Sequence, residues 1–541
     1  MSYINESIIY TIYPLGFCGA PRENDGQLQY RLDKIYDCIE HFKCLGINAL
    51  VFNPLFESSR HGYDTIDYRK VDCRLGDNAS FKKICQTLRD NGIRVLLDGV
   101  FNHVGRDFFA FKDVQEKKWD SRYCGWFQNL NFDGRSPYGD PFWYEGWAGC
   151  YDLVKLNLQN EEVVNYLLDS VKMWIEEFDI DGLRLDAADV IDTGFFKKLK
   201  HVCKSQKNDF WLYGEITHGD YNRLANSEML DSVTNYECYK GIYSSHNDHN
   251  YFEIAHSLNR QFANGGIYQN IYTYNFVDNH DVNRVASVLR NKNHLNNVYT
   301  MLYTMPGVPS IYYGSEYAVE GTRTRDNDYN LRPCLDLNNI PNANLSLCNH
   351  IIRLGKVRMA LEALKYGKFE NVNIKNETLV YKRFTDHQTV FTLFNLTDHE
   401  ERIGFDAGCS GKLTDALNDN EVFDCGGWRE IPVPAYSTRI LVVNDGSFKI
   451  KFEKENTPPA TGDTPPAQPV SPEPDITIGA RYRHFKGGEY EVTGFAKHSE
   501  TGENMVIYQS LRGGEVWARP YDMFRETIWD NGKPIKRFEK I

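Results

Sequence analysis

The sequence predicts an α/β fold built on a closed (β/α)8 barrel, and three observations lead to it. Short, near-continuous apolar runs such as IRVLLDGVFNH end in polar residues, a pattern typical of strands buried on both faces of a parallel sheet. Amphipathic segments such as EEVVNYLLDSVKMWIEEF lie between these runs and predict helices. The strand ends also recur in steps of roughly 31 residues, the length of one βα unit in a barrel of about 250 residues.

The residues that end the predicted strands fix the order of the barrel. Asp186 and Glu215 are 29 positions apart, and Asp281 and Tyr312 are 31 apart, so each pair spans one unit. Glu215 and Asp281 are 66 apart, which is two units, whereas Asp98 and Asp186 are 88 apart. These residues therefore end strands three, four, five, seven and eight, and the extra length after strand three predicts an inserted subdomain.

The rest of the chain is predicted to form two β domains joined by a linker. Alternating segments such as TLVYKRF and TVFTLFN predict a C-terminal antiparallel β-sandwich domain. Seven of the twenty prolines fall between positions 458 and 474, which is typical of an extended linker. The predicted domains are the barrel at 1–370, with the inserted subdomain at 104–155, the β-sandwich domain at 371–447, the linker at 454–477 and a small, mostly β module at 478–541.

Composition excludes several classes of partner. The net charge of −13 disfavours a nucleic-acid-binding protein, and no apolar run approaches the roughly 20 residues of a membrane span. The N-terminal segment lacks the features of a secretory signal. Thirteen scattered cysteines without a CxxC pair indicate free thiols in a reducing compartment. We therefore expect a soluble, cytoplasmic protein.

Acidic residues at the predicted strand ends are the candidates for chemistry. The carboxyl ends of the strands form the active-site face of such a barrel, which places Asp98, Asp186, Glu215 and Asp281 around one cleft. A single carboxylate at a strand end is more often a helix cap, but four in register beside Arg184 favour a shared site. Neighbouring charges can separate the pKa values of such carboxylates, and this is the chemistry of glycoside hydrolysis.

Seven short motifs in order make the interpretation specific. Across roughly residues 8–445 the chain resembles the α-amylase superfamily, glycoside hydrolase family 13. The family's four central motifs match DGVFNH, GLRLDAADV, GEITH and FVDNHD, and peripheral motifs match GINALVFNP, LVKLN and GVPSIYYGSE. LVKLN and NDYNLRP also resemble the neopullulanase and cyclomaltodextrinase branch.

The resemblance implies a role for individual residues. Asp186 would be the nucleophile, Glu215 the general acid and then base, and Asp281 the stabiliser that binds sugar hydroxyls. The implied mechanism is double displacement with retention, with the nucleophile and acid carboxyls ~5–5.5 Å apart. The resemblance also implies six substrate-binding residues: Tyr63, His103, Arg184, His280, Asp328 and Arg332.

Aromatic residues are concentrated in the predicted insertion. Fourteen of the forty-four residues at 108–151 are Phe, Tyr or Trp. Such rings can stack on the apolar faces of glucose units or pack a small core. We expect both uses here, for a set that includes Trp119, Trp126, Trp143 and Trp147.

No cofactor is required by the implied mechanism, and no metal site is predicted. Asn102 matches a position that ligates calcium in many members of the superfamily, which leaves calcium open without predicting it. The stretch DNDYN suggests a calcium loop, but Leu331 and Leu337 occupy the glycine and glutamate positions that an EF-hand requires.

The predicted function is that of a retaining α-glucan hydrolase. It would cleave α-1,4 bonds of maltooligosaccharides, cyclodextrins or starch fragments, with some α-1,6 or transglycosylation activity. A glucanotransferase or isomerase of the same superfamily is an alternative, because water and sugar hydroxyls compete for one intermediate. A catalytically silent glycan-binding homologue is another. The expected partner is an α-glucan oligosaccharide rather than nucleic acid or a membrane.

The C-terminal module resembles a small domain family of unknown function. Its alternating apolar pattern predicts a compact β barrel. Three roles stay open: a spacer with an ordinary core, a surface for a protein partner, and a glycan-binding face formed by Tyr482, Tyr490, Tyr508, Trp517 and Tyr521.

Overall fold

The computed structural model divides into two compact units, which meet in sequence at residues 460 and 461. None of the helices it describes has the length and apolar character needed to cross a bilayer. The described residues are 3–325, 327–408, 410–452, 476–497, 504–525, 527–530 and 533–541.

Eight parallel strands close into a barrel in the first unit, which confirms the predicted fold. Each strand pairs with its sequence neighbours, and Ile9 of the first strand pairs with Ser310 of the last. The strands consist largely of buried residues, as the apolar runs predict. They are β1 Ile9–Ile12, β2 Ala49–Phe52, β3 Arg94–Gly99, β4 Gly182–Leu185, β5 Trp211–Gly214, β6 Ser232–Thr234, β7 Tyr272–Asn275 and β8 Val308–Tyr312.

Amphipathic helices surround the barrel, and Glu161–Phe178 shows how the sequence defines them. The Asn160 side chain accepts the backbone N–H of Glu162 and caps its N-terminus. Trp174 lies on its buried face, and Asp179 ends the helix in the left-handed region at φ 55°. The other α-helices of at least five residues around the barrel are Ile39–Cys44, Asn78–Asp90, Thr193–Gln206, Tyr236–Asn247, Tyr251–Phe262, Leu295–Thr304, Leu345–Ala360 and Glu362–Tyr366.

The inserted subdomain lies between β3 and β4. It contains the helix Phe109–Lys117 and a three-stranded antiparallel sheet of His103–Gly105, Gly146–Trp147 and Cys150–Lys155. A smaller hairpin of Phe56–Ser58 and Thr65–Val71 follows β2. Both segments extend from the carboxyl ends of barrel strands, so they lie at the face where the candidate residues are.

The C-terminal domain of the first unit is an antiparallel β-sandwich, as predicted. Apolar side chains of its two sheets share one buried cluster. The predicted boundary at residue 371 falls within the first strand, whose Phe369 already pairs with Arg383. One sheet consists of Lys368–Ile374, Thr378–Phe384, Thr389–Asn395, Thr438–Asn444, Gly411–Asp415 and Val422–Cys425, and the other of Glu401–Asp406 and Trp428–Val433.

A buried arginine of this domain, Arg383, joins it to the barrel beside a second buried arginine, Arg358, which belongs to the barrel helix Leu345–Ala360. Arg358 donates to the carbonyls of Tyr303 and Gly307, and Arg383 donates to those of Thr304 and Gly367. Tyr303 and Thr304 end the helix Leu295–Thr304, so both guanidinium groups lie at the negative end of its dipole. Burial, with Arg358 nearby, lowers the pKa of Arg383 to about 9.

The second unit is a small β module built on a five-stranded antiparallel sheet. Ile476 is buried in its core, so the module begins before the predicted residue 478, while residues 454–475 of the linker predicted at 454–477 lie outside the described residues. The elements are Arg481–His484, Glu489–Lys497, Asn504–Ser510, Val516–Pro520, Phe538–Lys540, a pair of strands Thr527–Asp530 and Lys533–Lys536, and the helix Tyr521–Arg525.

Two of the five residues considered for a glycan-binding face of the module lie in its core instead. Tyr482 and Tyr508 are each 4% exposed and form part of the core, and Tyr490 and Tyr521 pack against it. Trp517 is exposed. The alternation of apolar residues identifies the strands but does not tell which face of so small a sheet is covered.

Replacing Arg383 with methionine should lower the free energy of unfolding by about 2–4 kcal/mol, because the carbonyls of Thr304 and Gly367 lose buried donors. The measurement is urea unfolding followed by tryptophan fluorescence. Arg429→Met, at an exposed position of the same domain, is the matched control and should change stability by less than about 0.5 kcal/mol. Equal losses in the two variants would contradict the capping role of Arg383.

Candidate active site

The guanidinium of Arg184 gathers three carboxylates at the carboxyl ends of β3, β4 and β5. Its Nη1 lies 2.6 Å from Asp98 Oδ2 and 3.1 Å from Asp186 Oδ1, and its Nη2 lies 2.7 Å from Glu215 Oε2. Arg184 and Asp186 are two positions apart, so both project to the same side of β4. The nucleophile and the acid implied by the sequence therefore contact the two terminal nitrogens of one cation.

Asp98 does not line the cleft, which corrects the sequence-based expectation. It is 2% exposed and lies behind Arg184, where it also accepts from Asn53 Nδ2 and the Tyr63 hydroxyl at 3.1 and 3.2 Å. The reason is its position within β3, whereas Asp186 follows the end of β4. Asp98 therefore binds Arg184 on the side that faces away from the cleft.

Asp281 lies in the loop after β7 and is held by two groups. His280 Nε2 is 2.8 Å from its Oδ2, and Arg332 Nη2 is 2.9 Å from its Oδ1. Arg332 also contacts Asp328 Oδ2 at 2.7 Å. The structure thus brings the two residues from the loop after β8, Asp328 and Arg332, next to the third candidate carboxylate.

Two pairs of parallel rings border the carboxylates. Tyr63 stacks on His280 with centroids 5.6 Å apart, and its hydroxyl contacts His280 Nε2. His103 stacks on Trp147 with centroids 6.0 Å apart. Burial, with His61 nearby, lowers the pKa of His103 to about 3, so this ring is neutral at physiological pH.

His103 offers a hydrogen-bond donor to a ligand. Its Nδ1 faces the Asn102 amide nitrogen at 3.1 Å and accepts from it, so the ring proton resides on Nε2. That Nε2 is buried and has no hydrogen-bond partner within the described residues. A sugar hydroxyl in the adjacent cleft would satisfy it.

A cavity of about 1260 Å³ contains the site and is large enough for several glucose units. Asp186, Glu215 and Asp281 all line it, together with Tyr63, His103, Asp328 and Arg332. Arg184 and His280 lie just behind the lining and contact its carboxylates. All nine residues predicted from the sequence therefore belong to one site, while their individual roles stay predictions.

The aromatic residues of the insertion divide between wall and core. Trp147 lines the cavity, whereas Trp126 is 5% exposed and packs within the subdomain. Trp119 takes neither position, because it is 68% exposed against Phe132. The insertion thus supplies an aromatic ring to the wall of the cleft.

The electrostatic environment sets Asp186 and Asp281 apart. Burial raises the pKa of Asp186 well above its usual value; Arg184 opposes this, and the neighbouring charges of Glu215, Asp98 and Asp281 add to it. Burial also acts to raise the pKa of Asp281, but His280, Arg332 and Arg184 outweigh it and hold that pKa below its usual range. Asp281 therefore stays ionised, whereas Asp186 takes up a proton at a higher pH than an ordinary aspartate does.

Three residues that the sequence did not predict also belong to the site. His61 and Tyr236 line the cavity, and the Tyr236 hydroxyl is 3.2 Å from Glu215 Oε1. Asn279 donates to that hydroxyl. Tyr236 follows β6, and the short run DSVTNY between β5 and β7 is the signal that could have located it.

The described residues offer one cluster with ligand atoms close enough for a metal, away from this cavity. It consists of Glu57, Asp72 and Cys73. Both oxygens of Asp72 are engaged by the buried guanidinium of Arg74, so this set suits an ion pair better than a cation. Asn102, the calcium candidate, uses its amide nitrogen on His103.

Comparison with known proteins identifies relatives of both units. Residues 11–340 match the model of the alpha-amylase catalytic domain, and residues 480–540 match a family of proteins of unknown function, DUF1653. A cyclomaltodextrinase of Thermoanaerobacter pseudethanolicus is 30% identical over 74% of this chain and 72% of its own length. An intracellular maltogenic amylase of Bacillus subtilis is 29% identical over 83% and 76%. The solved structure of a cyclomaltodextrinase superposes with a TM-score of 0.72 at 25% identity, over 81% of this chain and 78% of that one.

The raised pKa of Asp186 predicts an early loss of activity on the acid side. The predicted nucleophile, Asp186, can attack only as a carboxylate, so the rate should fall as the pH drops through its pKa, which lies above the ordinary value of about 3.9. The measurement is kcat/KM for a maltooligosaccharide from about pH 3 to pH 8. An acid limb whose apparent pKa is at or below the ordinary aspartate pKa would contradict a raised pKa for Asp186.

Proposed function

This chain belongs to the α-amylase family of glycoside hydrolases, and we propose that it cleaves α-1,4-glucosidic bonds of maltooligosaccharides and cyclodextrins with retention. The observation that carries the proposal is the convergence of Asp186, Glu215 and Asp281 on one cavity, with Arg184 in contact with the first two. A catalytically silent homologue would have no need for this arrangement.

The first step forms a covalent intermediate. The Asp186 carboxylate attacks the anomeric carbon, the bond from that carbon to the leaving oxygen breaks, and its electron pair stays on that oxygen. Glu215 gives its proton to the same oxygen, so the leaving sugar departs as an alcohol. Asp281, kept ionised by His280 and Arg332, accepts hydrogen bonds from hydroxyl groups of the sugar ring that develops positive charge.

The second step returns the enzyme to its initial state. The Glu215 carboxylate takes a proton from water, the water oxygen attacks the anomeric carbon, and the ester bond breaks with its electrons returning to Asp186. Two inversions give net retention. Attack by a sugar hydroxyl instead of water gives transglycosylation through the same intermediate, so the ratio of water to acceptor decides between hydrolysis and transfer.

The walls of the cavity favour an uncharged sugar chain. Trp147 and Tyr63 provide apolar rings, and His103, Asp328 and Arg332 provide polar groups for hydroxyls. The relatives are named cyclomaltodextrinase and maltogenic amylase, which supports maltooligosaccharides and cyclic maltodextrins as substrates. Activity on α-1,6 bonds is part of the same proposal.

We also propose that the enzyme acts inside the cell and needs no metal for the chemical steps. The Bacillus subtilis relative is named intracellular, and the twelve described cysteines are free thiols. Every proton and electron pair in the two steps is accounted for by Asp186, Glu215 and water. For the C-terminal module, we propose a role in binding a glycan or a protein partner.

Product analysis tests the proposed function. Wild-type enzyme incubated with maltotriose, cyclodextrin and pullulan should release glucose and maltose, with the newly formed anomer in the α configuration by NMR. Asp186→Asn should lower kcat by at least about 1,000-fold, because the nucleophile is lost. Asp169→Asn, on the exposed side of the helix Glu161–Phe178, is the matched control. Release of the β anomer, or full activity of Asp186→Asn, would contradict the mechanism.

A further inference from the structure

The carboxyl group of Glu215 has little room for the proton that it must donate. A carboxylate offers about four acceptor sites, two on each oxygen. Oε2 receives Arg184 Nη2 at 2.7 Å and the backbone N–H of Ala187 at 3.2 Å. Both groups are donors that cannot accept a hydrogen bond, so a proton on Oε2 would face a cation and an N–H group.

The other carboxyl oxygen, Oε1, accepts one hydrogen bond, and its donor is a neutral hydroxyl group. The Tyr236 hydroxyl lies 3.2 Å from it and donates to it. Three of the four acceptor sites are therefore occupied, and the remaining site is the second one on Oε1. Because Glu215 lines the cavity, that site is the one available to a substrate oxygen.

Asn279 fixes the direction in which Tyr236 donates. The Asn279 side-chain oxygen accepts the backbone N–H groups of Asp281 and Val282 at 2.8 and 3.1 Å, which identifies the other end of the amide as the nitrogen. That Nδ2 donates to the Tyr236 hydroxyl oxygen at 3.2 Å. The hydroxyl proton of Tyr236 is thereby turned away from Asn279 and toward Glu215.

The ring of Tyr236 is itself held in place. It packs edge to face on Phe276 with centroids 4.8 Å apart and on Tyr239 with centroids 6.0 Å apart. Tyr236 is the first residue of the helix Tyr236–Asn247, and Asn279 belongs to the loop that carries Asp281. The contact thus links the acid after β5 to the third carboxylate after β7.

We propose that Tyr236, oriented by Asn279, is a positioning residue that confines the acid proton of Glu215 to one site on Oε1. The inference rests on the proposed function of the same site. As the proton leaves, Oε1 gains negative charge, and the hydrogen bond from Tyr236 strengthens because its acceptor is becoming ionised. The contact therefore supports proton transfer more than it supports the ground state.

Two substrates that differ in their need for an acid test this role. Maltotriose loses a sugar alcohol that requires protonation, whereas α-maltosyl fluoride loses fluoride, which requires little. For Tyr236→Phe, which deletes one oxygen and keeps the ring, kcat/KM for maltotriose should fall about 10- to 100-fold. For α-maltosyl fluoride it should stay within about threefold, because kcat/KM reports only the steps up to loss of the first leaving group.

Tyr239→Phe is the matched control, since its ring stacks on the same Phe276; both substrates should react at wild-type rates. Asn279→Asp is the second variant: it keeps an acceptor for the two backbone N–H groups, removes the donor to Tyr236, and should show the same selective loss. Equal losses on both substrates with Tyr236→Phe, or no loss on maltotriose, would overturn the inference. A wild-type enzyme inactive on both substrates would instead refute the proposed function.

Discussion

The ion pairs of Arg184 are the interactions on which the site depends. This single buried guanidinium contacts Asp98, Asp186 and Glu215, and three carboxylates could not remain so close in a largely buried barrel end without a shared cation. Asp98 holds the cation from its buried side, while Asp186 and Glu215 line the cavity. The contacts that orient these carboxylates therefore also offset part of their mutual repulsion.

Barrel closure makes this arrangement available to the chain. Parallel strands bring their carboxyl ends to one rim, so residues far apart in sequence, such as Arg184 and Asp281, belong to one surface. The loops after β3 and β8 contribute further side chains to the cavity lining. Trp147 comes from the insertion after β3, and Arg332 comes from the loop after β8. In the proposed mechanism the rim supplies the reactive groups, and the loops supply recognition of the sugar chain.

The sequence was informative where periodicity and spacing carry the information. Asp186 and Glu215 could be placed because one βα unit separates them, and because the motifs around them are specific. Strand spacing predicts that Asp98 ends a strand, but it does not tell how deep the side chain lies. Spacing does not locate Tyr236, because β6 has only three residues, too few for a clear apolar run. In the second unit, alternation leaves Tyr508 open between the core and a binding face, because it does not show which face is covered.

In the proposed mechanism, Asp186 forms a covalent bond to the sugar while Glu215 donates and accepts the proton. The most direct test treats Glu215→Gln enzyme with α-maltosyl fluoride. This substrate needs no acid to form the covalent intermediate, but hydrolysis of that intermediate needs the base. Mass spectrometry of the digested protein should then find a maltosyl group on the peptide that contains Asp186. A maltosyl group on any other carboxylate, or turnover of the fluoride without a trapped ester, would contradict the account.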